Sequence, residues 1–396
     1  MAETTSLANK DFPEALGSSP YFTAEHEMLR DQVRRFVKEE IKPHGESWET
    51  LGHVPREVLR RMGSLGFFGV RYPEAYGGSG MDTLGSVVLA EELGRSTFSG
   101  VAITALVHTD MASVHVFNSG TEAQKSKWMP KIIAGAAICA VAVTEPDAGS
   151  DVKAIRTTAH EQDGGYVLNG AKMFITNGVH ADLYCVAAKT GGAGSGSKAL
   201  TMFLVERGTP GFRVARALHK HGWRSSDTAE LLFDNCFVPS ESILGNVGTG
   251  FYSIMRNFQN ERIVISAMAM GEAQAALALT IEYLKVRRAF GATLWDKQAI
   301  RQRLAKRAAE VEAGRQLVYS VAWRDARGED VTREVSMAKA YCGELVNSVM
   351  YDCVQFHGGM GFMSESAIER MSRDARVQSI GGGATEVMLE EVAKRM

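Results

Sequence analysis

Hydrophobic positions change their spacing twice along this chain, and the changes divide it into three regions. In residues 1–139 the apolar positions recur mainly every three or four residues, as at Leu29 and Val33, which predicts helices. In residues 140–246 short apolar runs separated by Gly- and Asn-rich turns predict strands. Residues 247–396 return to helical spacing over longer stretches. We therefore predict three domains with these boundaries.

Three long helices are predicted in the last region, at residues 251–290, 298–327 and 333–356. No long helical pattern interrupts the middle region, so an antiparallel sandwich or barrel is expected there instead of a doubly wound sheet. The order helices, sheet, helices predicts an α+β protein. A central antiparallel β domain would lie between an N-terminal helical domain and a C-terminal helical bundle.

Composition narrows the classes of partner. The 396 residues carry a net charge of −2, with 45% hydrophobic and 23% charged residues, so nothing indicates a nucleic-acid partner. The five cysteines form no Cys-x-x-Cys pair and are expected to be reduced thiols. The histidines form no His-Glu-x-x-His pattern, and no metal site is expected.

The beginning of the chain gives no sign of a targeting segment. Residues 1–20 include Glu3, Asp11 and Glu14 but no arginine, which argues against a signal or transit peptide. We expect residues 132–143 to be the longest apolar stretch, and it is too short to span a bilayer. We therefore expect a cytoplasmic protein without membrane insertion.

Two segments about two dozen residues apart carry candidate chemistry. They read Ala-Val-Thr-Glu-Pro-Asp-Ala-Gly-Ser-Asp at residues 142–151 and Asn-Gly-Ala-Lys-Met-Phe-Ile-Thr-Asn-Gly at residues 169–178. Each joins a strand-like run to a loop rich in small polar residues. Together they offer hydroxyls, backbone N–H groups and an aromatic face to a flat, electron-poor ring. No Gly-x-Gly-x-x-Gly or Walker-type loop is present, so a Rossmann or P-loop nucleotide site is not expected.

One carboxylate lies within an apolar helical stripe. Glu261 shares a predicted helix face with Ile254, Phe258, Ile265 and Met268. A carboxylate in such a stripe is costly unless it has a partner or a function. Desolvation would raise its pKa and make it a better proton acceptor, whereas an ion pair with a basic residue of another helix is the alternative.

Further motifs extend this pattern over nearly the whole chain. They are Gly-Trp-Arg-Ser-Ser-Asp-Thr at residues 222–228, Arg-Arg-Ala-Phe-Gly at 287–291, Gln-Phe-His-Gly-Gly-Met-Gly-Phe at 355–362 and Arg-Asp-Ala-Arg at 373–376. In this order, with the two segments above, they resemble the acyl-CoA dehydrogenase family. The resemblance implies an N-terminal helical domain, a middle β domain and a C-terminal four-helix bundle. It also implies FAD-dependent oxidation of an acyl-CoA thioester to the trans-2-enoyl-CoA, with hydride passing to flavin N5.

The resemblance also identifies a base and an oxyanion donor. Much of the family places the base just after the Arg-Asp-Ala segment, where this chain has Gly382. A minority, including isovaleryl-CoA and long-chain acyl-CoA dehydrogenases, places it at the position of Glu261. Glu386 is the alternative carboxylate. The Gly382 N–H matches the donor that, with a flavin ribityl hydroxyl, holds the thioester carbonyl in the family.

Cofactor and substrate contacts are implied in the same way. FAD contacts within one subunit are implied for Val141, Ala142, Val143, Thr144, Gly149, Ser150, Phe174, Ile175, Thr176, Ala384, Thr385 and Glu386. Contacts to the FAD of a neighbouring subunit are implied for Arg287, Phe290, Gln298, Gln355, Phe356, His357, Gly358 and Gly359. Ser150 and Arg262 match positions on the CoA side, and Tyr252 is expected to line the acyl pocket.

The resemblance further implies a homotetramer that passes electrons to an electron-transferring flavoprotein. A branched or medium-to-long acyl-CoA is the expected substrate, with a citronellyl-CoA-like terpenoid group as a specific candidate. Two alternatives remain open. The same scaffold supports acyl-CoA oxidases and flavin monooxygenases, in which oxygen is the acceptor. A non-catalytic flavin or acyl-CoA binding protein is the second, because glycine occupies the common base position.

Overall fold

The computed structural model describes residues 19–191 and 196–396, and its elements follow the predicted order of helices, sheet and helices. The prediction that no targeting segment is present depends on Glu3, Asp11 and Glu14, which lie outside the described residues. The N-terminal helices are α1 (Ala24–Phe36), α2 (Lys42–Leu51), α3 (Arg56–Ser64), α4 (Thr83–Gly94), α5 (Ser99–Leu106), α6 (Ser113–Ser119) and α7 (Glu122–Ile133). The predicted helical character of this region is confirmed.

The middle region is one sheet with a short strand beside it. Its strands are β1 (Cys139–Ala142), β2 (Thr158–Gln162), β3 (Gly165–Thr176), β4 (Leu183–Lys189), β5 (Leu200–Glu206), β6 (Phe212–Ala217), β7 (Thr228–Pro239) and β8 (Ile243–Leu244). The order is β6-β7-β3-β2-β4-β5-β8, and β1 pairs with β4. Most neighbours are antiparallel, as predicted, but β1 runs parallel to β4 and β2 meets β4 in parallel. The sheet is therefore mixed and not purely antiparallel.

The C-terminal region is helical, with one small hairpin. Its elements are α8 (Gly250–Val286), β9 (Arg288–Ala289), β10 (Ala292–Thr293), α9 (Gln298–Asp325), α10 (Thr332–His357), α11 (Ala367–Ala375) and α12 (Thr385–Ala393). The predicted continuation of α8 to residue 290 is wrong, because the chain turns through Phe290 and Gly291, both at positive φ, to pair β9 with β10. The other two long helices match their predictions within two residues.

Close packing brings α4 against α8 and fixes the position of the site. A Cβ added to Gly94 would lie 2.3 Å from the carbonyl oxygen of Met268, and one added to Gly271 would lie 2.0 Å from that of Glu91. Glycine at both points therefore lets the two backbones approach. The same core cluster contains residues of α1, α4, α8, α9 and α10.

Two helical stretches that are longer than residues 132–143 have the length and composition of a membrane span, so the expectation that residues 132–143 are the longest such stretch is wrong. The stretch Ser99–Ser119 and the helix Gly250–Val286 both have the length and composition of a membrane span. Their most apolar windows are 94% and 83% buried inside the protein, which is typical of core helices.

Candidate active site

Glu261 lies near the beginning of α8, and its side chain is buried. Asn257, one turn earlier, donates a hydrogen bond from Nδ2 to Glu261 Oε1 at 2.8 Å. Burial raises the pKa of Glu261 to about 7, against the smaller opposing effects of Arg262 and Asn257. Among the described residues, the charge that acts on it belongs to Arg262, its neighbour in sequence, and not to a basic residue of another helix. The carboxyl can therefore both accept and release a proton near neutral pH.

A cavity adjoins the Asn257 side chain. Its volume is about 210 Å³, and it is lined by Val114, His115, Asn118, Ser119, Thr249, Tyr252, Ser253, Arg256 and Asn257. Asn257 Nδ2 also donates to the Met111 carbonyl at 2.7 Å, which ties α8 to the preceding helical layer. The His115 Nδ1 lies 3.1 Å from Ser253 Oγ, and burial lowers the pKa of this histidine to about 4. The cavity is therefore polar but neutral around His115.

The loop that contains Gly382 packs against the same helix. A Cβ on Gly382 would lie 2.5 Å from Cδ1 of Ile265, which is one turn beyond Glu261. Lys339 holds this loop by donating from Nζ to the carbonyls of Gln378 at 2.6 Å and Gly383 at 3.1 Å. Gly382 has φ +67°, a conformation that favours glycine. Within the described residues its N–H makes no hydrogen bond, so it can donate to a ligand.

Arg262 lies beside Glu261 and is half-buried. Its Cζ is 5.6 Å from the centroid of the Phe258 ring. Its Nε is buried without a hydrogen-bond partner among the described residues. Burial lowers the pKa of the guanidinium, which nevertheless stays charged at neutral pH. A ligand with a carbonyl or phosphate oxygen would satisfy this donor.

The two sequence segments proposed to hold a flat ring meet in space. The N–H of Met173 donates to the Thr144 carbonyl at 2.9 Å. Beneath them Lys172 Nζ lies 2.7 Å from Glu145 Oε1 and 3.0 Å from the Val143 carbonyl. Burial opposes the charge of Glu145, but the adjacent Lys172 ammonium lowers the pKa of this carboxyl overall. The buried ion pair thus fixes both segments in one arrangement.

Phe174 provides the test of whether a flat cofactor fits. The pairing of β3 with β7 is interrupted between Lys172 and Ile175, and Phe174 there has φ +60° with 67% of its surface exposed. Holding a phenylalanine in the left-handed region costs about 1–2 kcal/mol. Thr144, whose carbonyl accepts the Met173 N–H, and Thr176, the last residue of β3, are both half-buried. Val141 and Ala142 end β1, Val143 follows it, and Ile175 lies in β3. An exposed aromatic side chain close in the chain to two threonines fits an isoalloxazine ring.

The other predicted contacts of this group lie at loop and helix ends. Gly149 and Ser150 are exposed in the loop after β1, and a Cβ on Gly149 would meet nothing within 4 Å. Ala384 precedes α12, and Thr385 and Glu386 begin it. Glu386 is exposed at this helix start, where an acidic side chain interacts favourably with the helix dipole. Glu386 is therefore exposed to solvent, whereas Glu261 is buried.

The residues implied for a neighbouring subunit gather at one end of the bundle. The Tyr283 hydroxyl donates to the His357 carbonyl at 3.3 Å, and the two rings stack with centroids 4.3 Å apart. Tyr283 is one turn before Arg287, so this contact brings the two sequence segments together. Phe290 is 96% exposed at the hairpin. Most of the other residues of this set are also exposed, namely Arg287, Gln298, Gln355, Gly358 and Gly359. Phe356 is half-buried, and His357 is buried. Among described residues, no hydrogen bond or ring contact joins this set to Phe174.

Sequence reasoning missed the roles of two residues and one ion pair that shape the site. Asn257 is four residues before Glu261, a helical spacing that could have identified it. Lys339 lies among apolar positions of α10, which is a signal for a buried lysine with a specific role. The partnership of Lys172 with Glu145 has no comparable signal, because it depends on how two strands meet.

The chain matches three family models in order. These are "Acyl-CoA dehydrogenase, N-terminal domain" at residues 23–136, the "middle domain" at 140–236 and the "C-terminal domain" at 248–396. The mouse (Mus musculus) long-chain specific acyl-CoA dehydrogenase is 38% identical over 382 residues, 96% of this chain and 88% of its own length.

Solved structures with the same fold match nearly the whole chain. The acyl-CoA dehydrogenase from Geobacillus kaustophilus superposes with a TM-score of 0.92 at 39% identity, covering 96% of this chain and 99% of that protein. PigA, solved as an FAD complex, has a TM-score of 0.91 at 25% identity, with the same coverage of both chains.

Proposed function

Because the chain belongs to the acyl-CoA dehydrogenase family, whose members are FAD flavoproteins, we propose that it oxidises an acyl-CoA thioester with Glu261 as the base. The observation that carries this role is a buried carboxyl whose pKa is raised to about 7. A base of this pKa is well matched to proton transfer at neutral pH. Asn257 holds Oε1, so the second oxygen of the carboxylate is available to take the α proton.

Gly382 supplies the second element of the proposal. Removal of the α proton places negative charge on the thioester carbonyl, and a single well-placed donor to such an oxygen contributes about 10²–10³-fold in rate. The free N–H of Gly382 is on a loop that packs one helical turn from Glu261. Lys339 keeps this loop in place through two backbone carbonyls. The base and the donor therefore act on adjacent atoms of one thioester.

Thr144, Thr176 and Phe174 would hold the flavin ring, Phe174 by packing on its face. The chemistry that FAD supplies when bound is acceptance of the β hydrogen as hydride. Arg262 and Ser150 would face the CoA portion, and Tyr252 the approach to the acyl pocket. The exposed Phe290 and residues 355–359 support a homotetramer in which they reach a neighbouring subunit's cofactor.

Other parts of the proposal rest on the family resemblance alone. They are the electron-transferring flavoprotein as acceptor, a branched or medium-to-long acyl group and the domain boundaries at residues 139/140 and 246/247. The cytoplasmic location also stays a prediction, and the mouse relative is described as mitochondrial.

An anaerobic titration tests the function. Purified holoprotein is mixed with a panel of straight and branched acyl-CoA thioesters while the visible absorbance of the flavin is followed. We expect bleaching by at least one class of thioester, and the enoyl-CoA product identified by mass. A flavin that stays oxidised with every thioester would contradict the proposed function.

A further inference from the structure

Lys339 is a buried lysine without an acidic partner among the described residues. It lies in α10 and is 1% exposed. Its Nζ donates to the backbone carbonyls of Gln378 and Gly383. The titratable groups that act on it, Arg262 and Cys342, include no carboxylate. Burying an ammonium is costly unless an anion compensates it, so the carbonyls satisfy the hydrogen bonds of Lys339 but leave its charge uncompensated.

Two other lysines that are withdrawn from solvent have acidic neighbours. Lys172 Nζ lies 2.7 Å from Glu145 Oε1. The Asp227 carboxyl favours the charged form of Lys220. Lys339 differs from both, because among the described residues its charge is offset by carbonyl dipoles and not by a carboxylate.

The ammonium of Lys339 is beside the loop that carries the proposed oxyanion donor. Lys339 Cε is 3.6 Å from the position that a Cβ on Gly382 would take. The two carbonyls that accept from Nζ belong to Gln378 and Gly383, and Gly382 lies between these residues in sequence. Lys339 therefore holds the loop and also places a positive charge close to the free N–H of Gly382.

The proposed reaction creates a negative charge at this loop. When Glu261 takes the α proton, the electron pair of the broken C–H bond forms an enolate with much of its charge on the thioester oxygen. A fixed cation in a water-excluded site stabilises such a charge more strongly than it would in water. The cost of burying Lys339 is thus offset when the enolate forms, and an interaction that strengthens during the reaction accelerates it.

We propose that the ammonium of Lys339 stabilises the enolate through the Gly382 loop, by orienting the Gly382 N–H and by supplying a fixed positive charge behind it. Lys339 is then a positioning residue for the reaction, since it acts through Gly382. This inference rests on the proposed function, because it assumes that the thioester oxygen binds at Gly382.

The proton on Lys339 sets the pH range of this stabilisation. Burial, together with the charge of Arg262 on α8, lowers its pKa to about 8, against the opposing effect of Cys342 on α10. Residues 378–383 carry no ionisable side chain. Two ionisable groups of α12 act on Arg262 and not on Lys339, namely Glu391 and Arg395. The ammonium is therefore present at pH 7 and is lost as pH rises through about 8, and the stabilisation of the enolate is lost with it.

Acetoacetyl-CoA tests the proposal, because its acidic α position forms an enolate while its β carbon carries no hydrogen to transfer. The enolate fraction of the ligand bound to holoprotein is measured as a function of pH from the ultraviolet absorbance of the enolate. We expect Lys339→Met to reduce the ratio of enolate to neutral ligand about 10–100-fold, which raises the apparent pKa of the bound ligand by about one to two. Lys339→Arg keeps the charge and should restore most of the ratio.

The pH profile of the wild-type protein tests the charge without a mutation that could affect folding. The rate of flavin reduction by the preferred acyl-CoA should fall as pH rises above about 8. In Lys339→Arg the guanidinium stays charged, so this fall should disappear or move to higher pH. A wild-type rate that stays constant through this range, or a fall that is unchanged in Lys339→Arg, would overturn the role of the charge.

Lys220→Met is the matched control for Lys339→Met. Lys220 is half-buried, burial also lowers its pKa to about 8, and it donates to the Ser226 carbonyl. It lies outside the Gly382 loop, so this variant should keep the wild-type enolate ratio. If Lys339→Met forms the enolate as readily as wild type, or Lys220→Met loses it equally, the inference is wrong and the proposed function stands. If wild type forms no enolate and no acyl-CoA reduces its flavin, the proposed function fails and the inference fails with it.

Discussion

Glu91 and Glu261 are both buried glutamates of the helical core, yet their pKa values move in opposite directions. Burial opposes the charge of Glu91, but Arg315 and Arg30 outweigh it and lower the pKa of this carboxyl. Arg315 Nε lies 2.9 Å from Glu91 Oε1. Glu261 instead has the neutral Asn257 as its hydrogen-bond partner, and burial dominates. Burial alone thus does not make a base; the charge of the partners decides between an ion pair and a proton acceptor.

The largest expected effect comes from removing the partner of Glu91. Arg315→Met should reduce the free energy of unfolding by about 3–5 kcal/mol, because it removes the nearer of the two guanidinium groups that compensate the buried carboxylate of Glu91 and leaves only Arg30, 3.8 Å away. The measurement is denaturant unfolding at neutral pH. Arg333→Met is the control, since Arg333 pairs with Glu334 at the surface, and such pairs are worth about 0–1 kcal/mol. If both variants lost the same free energy of unfolding, Glu91 would not depend on its ion pair, and the contrast with Glu261 would be wrong.

The effect of Glu261 on stability should depend on pH. Unlike Glu91, whose pKa is lowered, Glu261 should make the folded protein less stable as pH rises. Its folded pKa of about 7 lies above the ordinary 4.5, so the neutral form is preferred and its contribution is lost as pH rises through about 7. The pKa difference of about 2.5 corresponds to about 3.5 kcal/mol at about 1.4 kcal/mol per pH unit. Glu261→Gln should therefore match wild type below pH 4.5 and exceed its unfolding free energy above pH 8. A variant that is less stable at high pH would contradict this.

A smaller effect is expected from Asn257. Asn257→Leu removes a hydrogen bond that stabilises the carboxylate, so the pKa of Glu261 should rise. Activity requires the ionised base and is lost as pH falls through this pKa. The acidic limb of kcat/KM should move upward by about one to two pH units, given about 1.5–3 kcal/mol for a hydrogen bond to a charged group.

Asn260→Leu provides the control for this pH profile. Asn260 is on the same helix and donates from Nδ2 to the Asp110 carbonyl at 2.6 Å, and among the described residues its side chain makes no hydrogen bond to the Glu261 carboxyl. This variant can lose stability but should keep the wild-type acidic limb. The same displacement in both variants would mean that Asn257 acts through packing and not through Glu261.

The helical parts of the fold could be predicted because their signals are local. The bounds of α9 and α10 follow from helical spacing and its interruption by turn residues. The end of α8 could not be predicted, because Val286 is followed by residues whose hairpin depends on positive φ at Phe290 and Gly291. The parallel pairing of β1 with β4 was also missed, since a four-residue strand gives no indication of a partner some forty residues away.

The candidate site also has parts that the sequence could predict and parts that it could not. Glu261 was identifiable as a carboxylate within an apolar stripe, a property of one helix. Its relation to Gly382 depends on Lys339, which binds carbonyls about forty residues away along the chain. Gln378 meets Glu272 across 106 residues. Such contacts arise from helix packing, and no spacing within one element encodes them.

The rate of flavin reduction in a single turnover tests the central claim most directly. Holoprotein variants Glu261→Gln and Glu386→Gln are mixed anaerobically with the preferred acyl-CoA in a stopped-flow instrument. We expect Glu261→Gln to bind FAD and acyl-CoA but to slow flavin reduction by about 10²–10⁴-fold, the usual contribution of a general base. Glu386→Gln should stay near the wild-type rate. A Glu261→Gln variant that reduces its flavin at the wild-type rate, or a collapse of the rate only in Glu386→Gln, would contradict the account.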